Sequence, residues 1–67
     1  MAVARVTEIV ASSPKGFDHA VQEGVKRAAK SLRGITGLEV VSLKAKVDNG
    51  KIREFRATMK VTFVLEE

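Results

Sequence analysis

The sequence contains no cysteine, and this absence removes two ways in which short chains are usually stabilised. None of its 67 residues can form a disulfide or offer a thiolate to a metal. The one imidazole, on His19, does not by itself make a zinc site. A chain of this length buries only a small core and usually needs partner subunits when disulfides and metals are missing. We therefore expect self-association, and the lack of cysteine also agrees with a cytoplasmic location.

Tryptophan and tyrosine are absent as well, and the three phenylalanines fall at positions that the sequence pattern assigns to a core. Base-stacking platforms are therefore scarce. Twelve basic residues outnumber eight acidic ones to give a net charge of +4, but the two signs are interspersed along the chain. Scattered basic charge without a recognition motif does not indicate a nucleic-acid partner, and we do not expect one.

Long hydrophobic runs are missing too. The N-terminal segment is interrupted by Arg5 and Glu8 before an apolar stretch of signal-peptide length can develop. No other segment approaches the length needed to cross a bilayer. We expect neither a leader sequence nor an association with membranes.

The clearest pattern present is a strict alternation of apolar and polar residues within the last seventeen positions, 51–67, which holds until Val64. This period of two predicts a long β-strand with one face on a core and the other face on solvent, a ligand or another subunit. The apolar set comprises Phe55, Ala57, Met59, Val61, Phe63 and Leu65. The polar set comprises Glu54, Arg56, Thr58, Lys60 and Thr62.

A strand and a helix are predicted before it. Residues 2–11 favour a strand, although imperfect alternation leaves its inward register open. Ser12-Ser13-Pro14 predicts a helix start with a serine N-cap, and apolar residues then recur at helical spacing from Phe17 to Leu32. Gly34 is the predicted C-cap, and Gly24 on the apolar stripe predicts close helix packing.

Residues 38–47 alternate again, with Ser42, Lys44 and Lys46 on the polar side. The Asp48-Asn49-Gly50 segment that follows predicts a tight hairpin, because both central turn positions must tolerate a positive φ. The element order is then β-α-β-β. The simplest α+β arrangement is a single domain, residues 1–67, with a three-stranded antiparallel sheet wrapped around one helix and the final strand in the centre.

No set of residues predicts catalysis. His19 beside Asp18 reads as a helix-surface residue, with no nucleophile placed near it by a motif. The glycines match no phosphate-binding fingerprint. We therefore do not expect an enzyme. Metal ligands stay undetermined, although Glu66 and Glu67 could join a calcium or magnesium site with a neighbouring subunit.

The polar strand faces carry four cations, Lys44, Lys46, Arg56 and Lys60. Several cations on one sheet face would attract an anion such as phosphate. The alternative is an ordinary solvated face, partly neutralised by Glu54.

Taken in order, several segments make the chain similar to the dodecins, small β-α-β-β proteins that assemble into hollow dodecamers and bind flavins. The resemblance covers nearly the whole chain and depends on the order and spacing of its parts. Its clearest segments are residues 6–13 (VTEIVASS), 27–33 (RAAKSLR), 38–40 (LEV) and 59–66 (MKVTFVLE).

The resemblance implies a ligand site with two departures from the family pattern. Where flavin-binding members carry a stacking Trp, two residues before Glu39, this chain has Gly37; where they carry a Gln after Phe55, it has Arg56. Arg offers hydrogen-bond donors only, whereas a flavin edge has donors and acceptors. We expect a homododecamer that sequesters flavin (FMN or riboflavin) or a related phosphorylated cofactor in an altered pocket, with Lys44 and Arg56 on phosphate and Ser42 on a sugar hydroxyl.

Two other hypotheses stay open from the sequence. One is the same cage binding another anion or divalent cations such as calcium, and the other is a structural or nucleic-acid-associated module.

Overall fold

Three strands and one helix account for most of the structure, a computed structural model that describes residues 3–65. They are β1 (Ala4–Ser13), α1 (Phe17–Ala28), β2 (Ile35–Asp48) and β3 (Lys51–Val64). The strands form an antiparallel sheet in the order β1-β3-β2. The α+β prediction, with β-α-β-β order and the final strand in the centre, is confirmed.

The pairing of β1 with β3 fixes the register that the sequence leaves open. Ile9 lies opposite Met59 and Ala11 lies opposite Ala57, and directly opposed residues share a sheet face. Ile9 and Ala11 therefore point toward α1. Val10 lies opposite Thr58 on the other face, where 61% of it is exposed. Strand β1 runs two residues further than predicted, to Ser13.

The helix entry differs from the prediction of a serine N-cap. The N-cap is Gly16, with no side-chain hydrogen bond to the helix. Ser13 is 3% exposed and its Oγ accepts a hydrogen bond from the Lys15 amide, 3.0 Å away. The same Oγ lies 2.6 Å from Nδ1 of His19. Serine thus stabilises the turn before the helix, and His19 is half-buried against it rather than free on the helix surface.

The helix also ends earlier than predicted, at Ala28, with Ala29 as its C-cap in a right-handed conformation. Gly34 is not the C-cap. It lies just before β2 with φ +74°, and its carbonyl accepts a hydrogen bond from the Val64 amide at 2.9 Å. The positive φ for which glycine suits a C-cap is used here to join the start of β2 to the end of β3.

We expect Gly34→Ala to destabilise the protein by about 1–3 kcal/mol, because Ala is strained at a positive φ. Its Cβ would also lie 2.9 Å from the Val64 carbonyl oxygen. Gly37→Ala is the matched control, since a Cβ there meets nothing within 4 Å. Urea unfolding at fixed protein concentration measures both. Equal unfolding midpoints for the two variants would contradict this role of Gly34 in joining β2 to β3.

A bulge in β2 modifies the predicted alternation. The pairing shifts between Val40, opposite Met59, and Ser42, opposite Thr58. Leu38 and Val40 therefore share the helix-facing side with Leu43 and Ala45, although a regular strand would place the even-numbered pair and the odd-numbered pair on opposite faces. The predicted hairpin is confirmed, with positive φ at both Asn49 and Gly50.

The core is small and lies between α1 and β3. Within the described residues, the fully buried apolar side chains are those of Ala20, Ala57, Met59 and Val61. A Cβ on Gly24 would lie 2.6 Å from Cε of Met59 and 3.0 Å from Cβ of Ala11. The predicted close packing at Gly24 is therefore confirmed.

Much of the β2–β3 hairpin has no cover in a single chain. The helix packs against β1 and β3, and the last β1–β3 pair is Ser13 with Phe55, so residues 46–54 form a two-stranded arm. Three large apolar side chains on β2 and the arm are more than half exposed: Leu43 at 51%, Val47 at 62% and Ile52 at 52%. The helix of the described part of the chain, at 12 residues, is too short to cross a bilayer.

Candidate ligand site on the outer sheet face

Three of the predicted site residues meet on the outer face, which we define as the sheet face opposite α1. Lys44 on β2 lies directly opposite Arg56 on β3, and Ser42 lies opposite Thr58 one pair further along. Residues paired in this way have their Cβ atoms about 4.5–5.5 Å apart. The register therefore places two cations and two hydroxyls within reach of one small anion.

Strand β1 adds a residue that the sequence did not suggest. Ser12 lies opposite Arg56 on the other side of β3, so the outer face carries a row Ser12–Arg56–Lys44 across all three strands. The imperfect alternation of β1 does not specify its register, and the sequence pattern places Ser12 at the helix start. The sheet pairing alone brings it to the site.

Arg56 is already engaged by a carboxylate. Its Nε and Nη2 donate to Oε1 of Glu54, at 3.1 Å and 2.5 Å. Both side chains are partly exposed, 51% for Arg56 and 35% for Glu54. This is the one ion pair found between residues 3 and 65, and it leaves the Arg56 Nη1 group free of protein partners in that range.

Gly37, the fourth predicted site residue, lies apart from the others. It is opposite Thr62, six positions along β3 from Arg56, which corresponds to roughly 20 Å of strand. It lines a groove of about 560 Å³ with Val6, Thr36, Leu38, Glu39, Lys60 and Thr62. A single chain therefore presents the cation row and the Gly37 groove as two separate parts of the outer face.

A row of alternating charge separates the two parts. Lys60 lies between Glu8 on β1 and Glu39 on β2. Among the residues described, no group of three acidic, histidine or cysteine side chains is arranged to hold a metal ion. Glu66 and Glu67, the predicted contributors to an intersubunit metal site, lie outside the described residues.

A larger groove, of about 660 Å³, lies on the helix side of the sheet between β1 and the second half of α1. Ile9, Ala11 and Leu32 supply apolar surface, while Arg27 and Lys30 also line it. The Ser13–His19 pair is elsewhere, and its hydroxyl is buried under the turn before α1.

The geometry thus defines a class of protein: a small β-α-β-β subunit with an open sheet, an uncovered hairpin and a polar, cation-bearing outer face. Comparison with known proteins identifies the family. The family model described as Dodecin matches residues 3–66. The chain belongs to the dodecin family.

Individual relatives agree with this assignment. The chain is 31% identical over 65 residues to the dodecin of Thermus thermophilus, covering 97% of this chain and 94% of the relative. The structure of dodecin from Streptomyces davaonensis is similar with a TM-score of 0.94 at 39% identity, over 98% of this chain and 97% of that one.

A third similar structure is that of a calcium dodecin from Mycobacterium tuberculosis, described as a calcium-chelating immunodominant antigen with a novel calcium-binding site. Its TM-score is 0.82 at 32% identity, over 96% of this chain and 91% of that one. One solved structure of this fold is thus described as binding calcium.

Proposed function

We propose that this chain is a non-enzymatic cytoplasmic subunit, one dodecin-like domain over residues 1–67, of a hollow homododecamer that binds and stores a flavin or related phosphorylated cofactor. The observation that carries the proposal is the Ser42, Lys44 and Arg56 cluster on the outer sheet face of a dodecin fold. The ligand site is altered at Gly37, where the stacking residue implied by the family resemblance is absent.

Assembly is supported by what a single chain leaves uncovered. The arm exposes Val47 and Ile52, and β2 has one side of its backbone unpaired along 14 residues. Uncovered apolar strands of this length are usually covered by another chain. A core of four fully buried apolar side chains among the residues described is also small for a chain expected to be stable alone.

The chemistry of the cation row supports a phosphorylated ligand. A guanidinium and an ammonium side by side can each bind phosphate oxygens through charge-assisted hydrogen bonds. Ser42, Thr58 and Ser12 supply hydroxyls that can donate or accept. Because the Gly37 groove lies roughly 20 Å from this row on the same chain, one ligand would use the row of one subunit and the groove of a neighbouring subunit, where Val6 offers an apolar edge to a planar ring.

Two measurements on the purified protein test this proposal. Light scattering should give a mass of about 88 kDa, twelve times the 7.3 kDa of one chain. Titration should quench riboflavin or FMN fluorescence at micromolar to tens of micromolar protein. A monomeric mass would overturn the assembly, and unquenched flavin at these concentrations would overturn the ligand.

A cage that binds divalent cations is the second candidate, and the calcium dodecin among the similar structures favours it. The outer-face carboxylates Glu8 and Glu39 are the acidic groups nearest the Gly37 groove that such a site would use. Calorimetric titration with calcium, together with metal analysis of the purified particle, separates the two candidates. Heat with calcium and none with FMN would select the cation cage.

A further inference from the structure

Glu54 is placed to control which ligands Arg56 can bind. The two residues are separated by one position on β3 and lie on the outer face together. Both the Nε and Nη2 groups of Arg56 donate to a single carboxylate oxygen of Glu54. One edge of the guanidinium is therefore occupied before any ligand arrives.

We propose that Glu54 is the selectivity-determining residue of this site: it competes with ligands for Arg56 and so lowers the preference of the site for ligands with a phosphate dianion over neutral ligands of the same shape. The proposal rests on the proposed function, since it concerns the same cation row. A neutral ligand has no group that can replace the carboxylate on Arg56. A phosphate dianion can replace it, with two parallel hydrogen bonds to the guanidinium.

The exposure of the pair makes this exchange feasible. Half of the Arg56 side chain and a third of the Glu54 side chain are open to solvent. Ion pairs so exposed are weak and are screened by salt. Lys44 lies across from Arg56 and adds a second cation that favours the incoming phosphate but not the neutral ligand.

The charges around Glu54 agree with this role. Glu54 lies opposite Lys46 on β2, and in the next row of the same face Arg56 lies opposite Lys44. Three cations thus surround one carboxylate. Replacing Glu54 by an isosteric amide leaves the shape unchanged and frees the guanidinium from its charged partner.

The test compares FMN, riboflavin and inorganic pyrophosphate in calorimetric titrations of the assembled protein. Glu54→Gln should tighten binding of FMN and pyrophosphate about fivefold, the effect of one exposed ion pair, and leave riboflavin unchanged. Glu8→Gln is the matched control. This substitution removes the same charge from the same face. Glu8 also lies opposite a lysine, Lys60, which is six positions along β3 from Glu54. Arg56→Gln should reduce the preference for FMN over riboflavin to the part that Lys44 provides.

The outcomes separate this inference from the proposed function. Equal effects of Glu54→Gln and Glu8→Gln, or an equal gain for riboflavin, would overturn the role of Glu54 while leaving flavin binding intact. Binding of pyrophosphate alone, tightened by Glu54→Gln, would support Glu54 and overturn the flavin assignment. If none of the three probes binds the unaltered protein, both proposals are wrong.

Discussion

Gly37→Trp should tighten riboflavin binding by about 1–3 kcal/mol, or roughly five- to 150-fold, the usual effect of one aromatic stacking platform. Gly37 lies in an exposed part of β2, opposite Thr62 and within the outer-face groove. A Cβ built there meets no atom within 4 Å, and the backbone has no positive φ at this position. The first atom of a side chain at this position therefore meets no steric obstacle.

The variant also supplies its own probe. The chain has no other tryptophan, so quenching of the new indole emission measures flavin binding independently of flavin fluorescence. Gly37→Leu is the control, because it adds apolar volume without an aromatic face and should change the affinity less than about threefold. If Leu and Trp have the same effect, stacking is not what the site lacks.

Met59→Ala should cost about 2–5 kcal/mol of unfolding free energy, the range for truncating a fully buried large side chain. Met59 is fully buried, and its core neighbours are Ala20 and Ala57, with Ile9 and Val21 packed around them. These neighbours are too small or too constrained by the sheet to fill the space. The loss is comparable with the whole stability of many small domains.

Urea unfolding at two protein concentrations measures this effect, because an assembled protein gains stability by mass action. Met59→Leu nearly conserves volume and should cost less than about 1.5 kcal/mol. An alanine variant as stable as the leucine variant would show that Met59 is not the centre of the core.

A double mutant tests where the cavity left by Met59→Ala lies. A Cβ on Gly24 would lie 2.6 Å from the Met59 Cε atom, which is absent in Met59→Ala. Gly24→Ala should therefore restore part of the lost stability in that background, by about 1 kcal/mol, through cavity filling and higher helix propensity. Additive effects of the two substitutions would contradict this contact.

The fold was predictable where local chemistry and the long-range pattern agree. The β3 alternation from Phe55 to Phe63 survives unchanged, because a central strand with one buried face cannot shift by a residue without exposing its core set. Asn49-Gly50 forms the predicted turn, since few other residue pairs accept its backbone angles. Leu65, by contrast, lies beyond the end of β3 and is 44% exposed.

The predictions were wrong where the same local sequence is compatible with two different structures. Ser13 before Pro14 is compatible with a helix cap, yet its hydroxyl binds the Lys15 amide and His19. Gly34 is compatible with a C-cap, yet it contacts the end of β3. For Gly34 the choice depends on a partner far away in sequence, Val64, and for Ser13 it depends on the conformation of the turn up to His19, which local propensity does not specify.

The element order, the central place of the last strand, the hairpin turn and the family resemblance could be predicted from the sequence, because they follow from period, turn chemistry and length. The register of β1 could be seen only in the folded chain. The same is true of the row Ser12–Arg56–Lys44, the separation of Gly37 from that row and the bulge between Val40 and Ser42. The physical reason is that register is set by which side chains fill the space under α1. The Glu54–Arg56 ion pair likewise depends on side-chain conformations that strand periodicity does not specify.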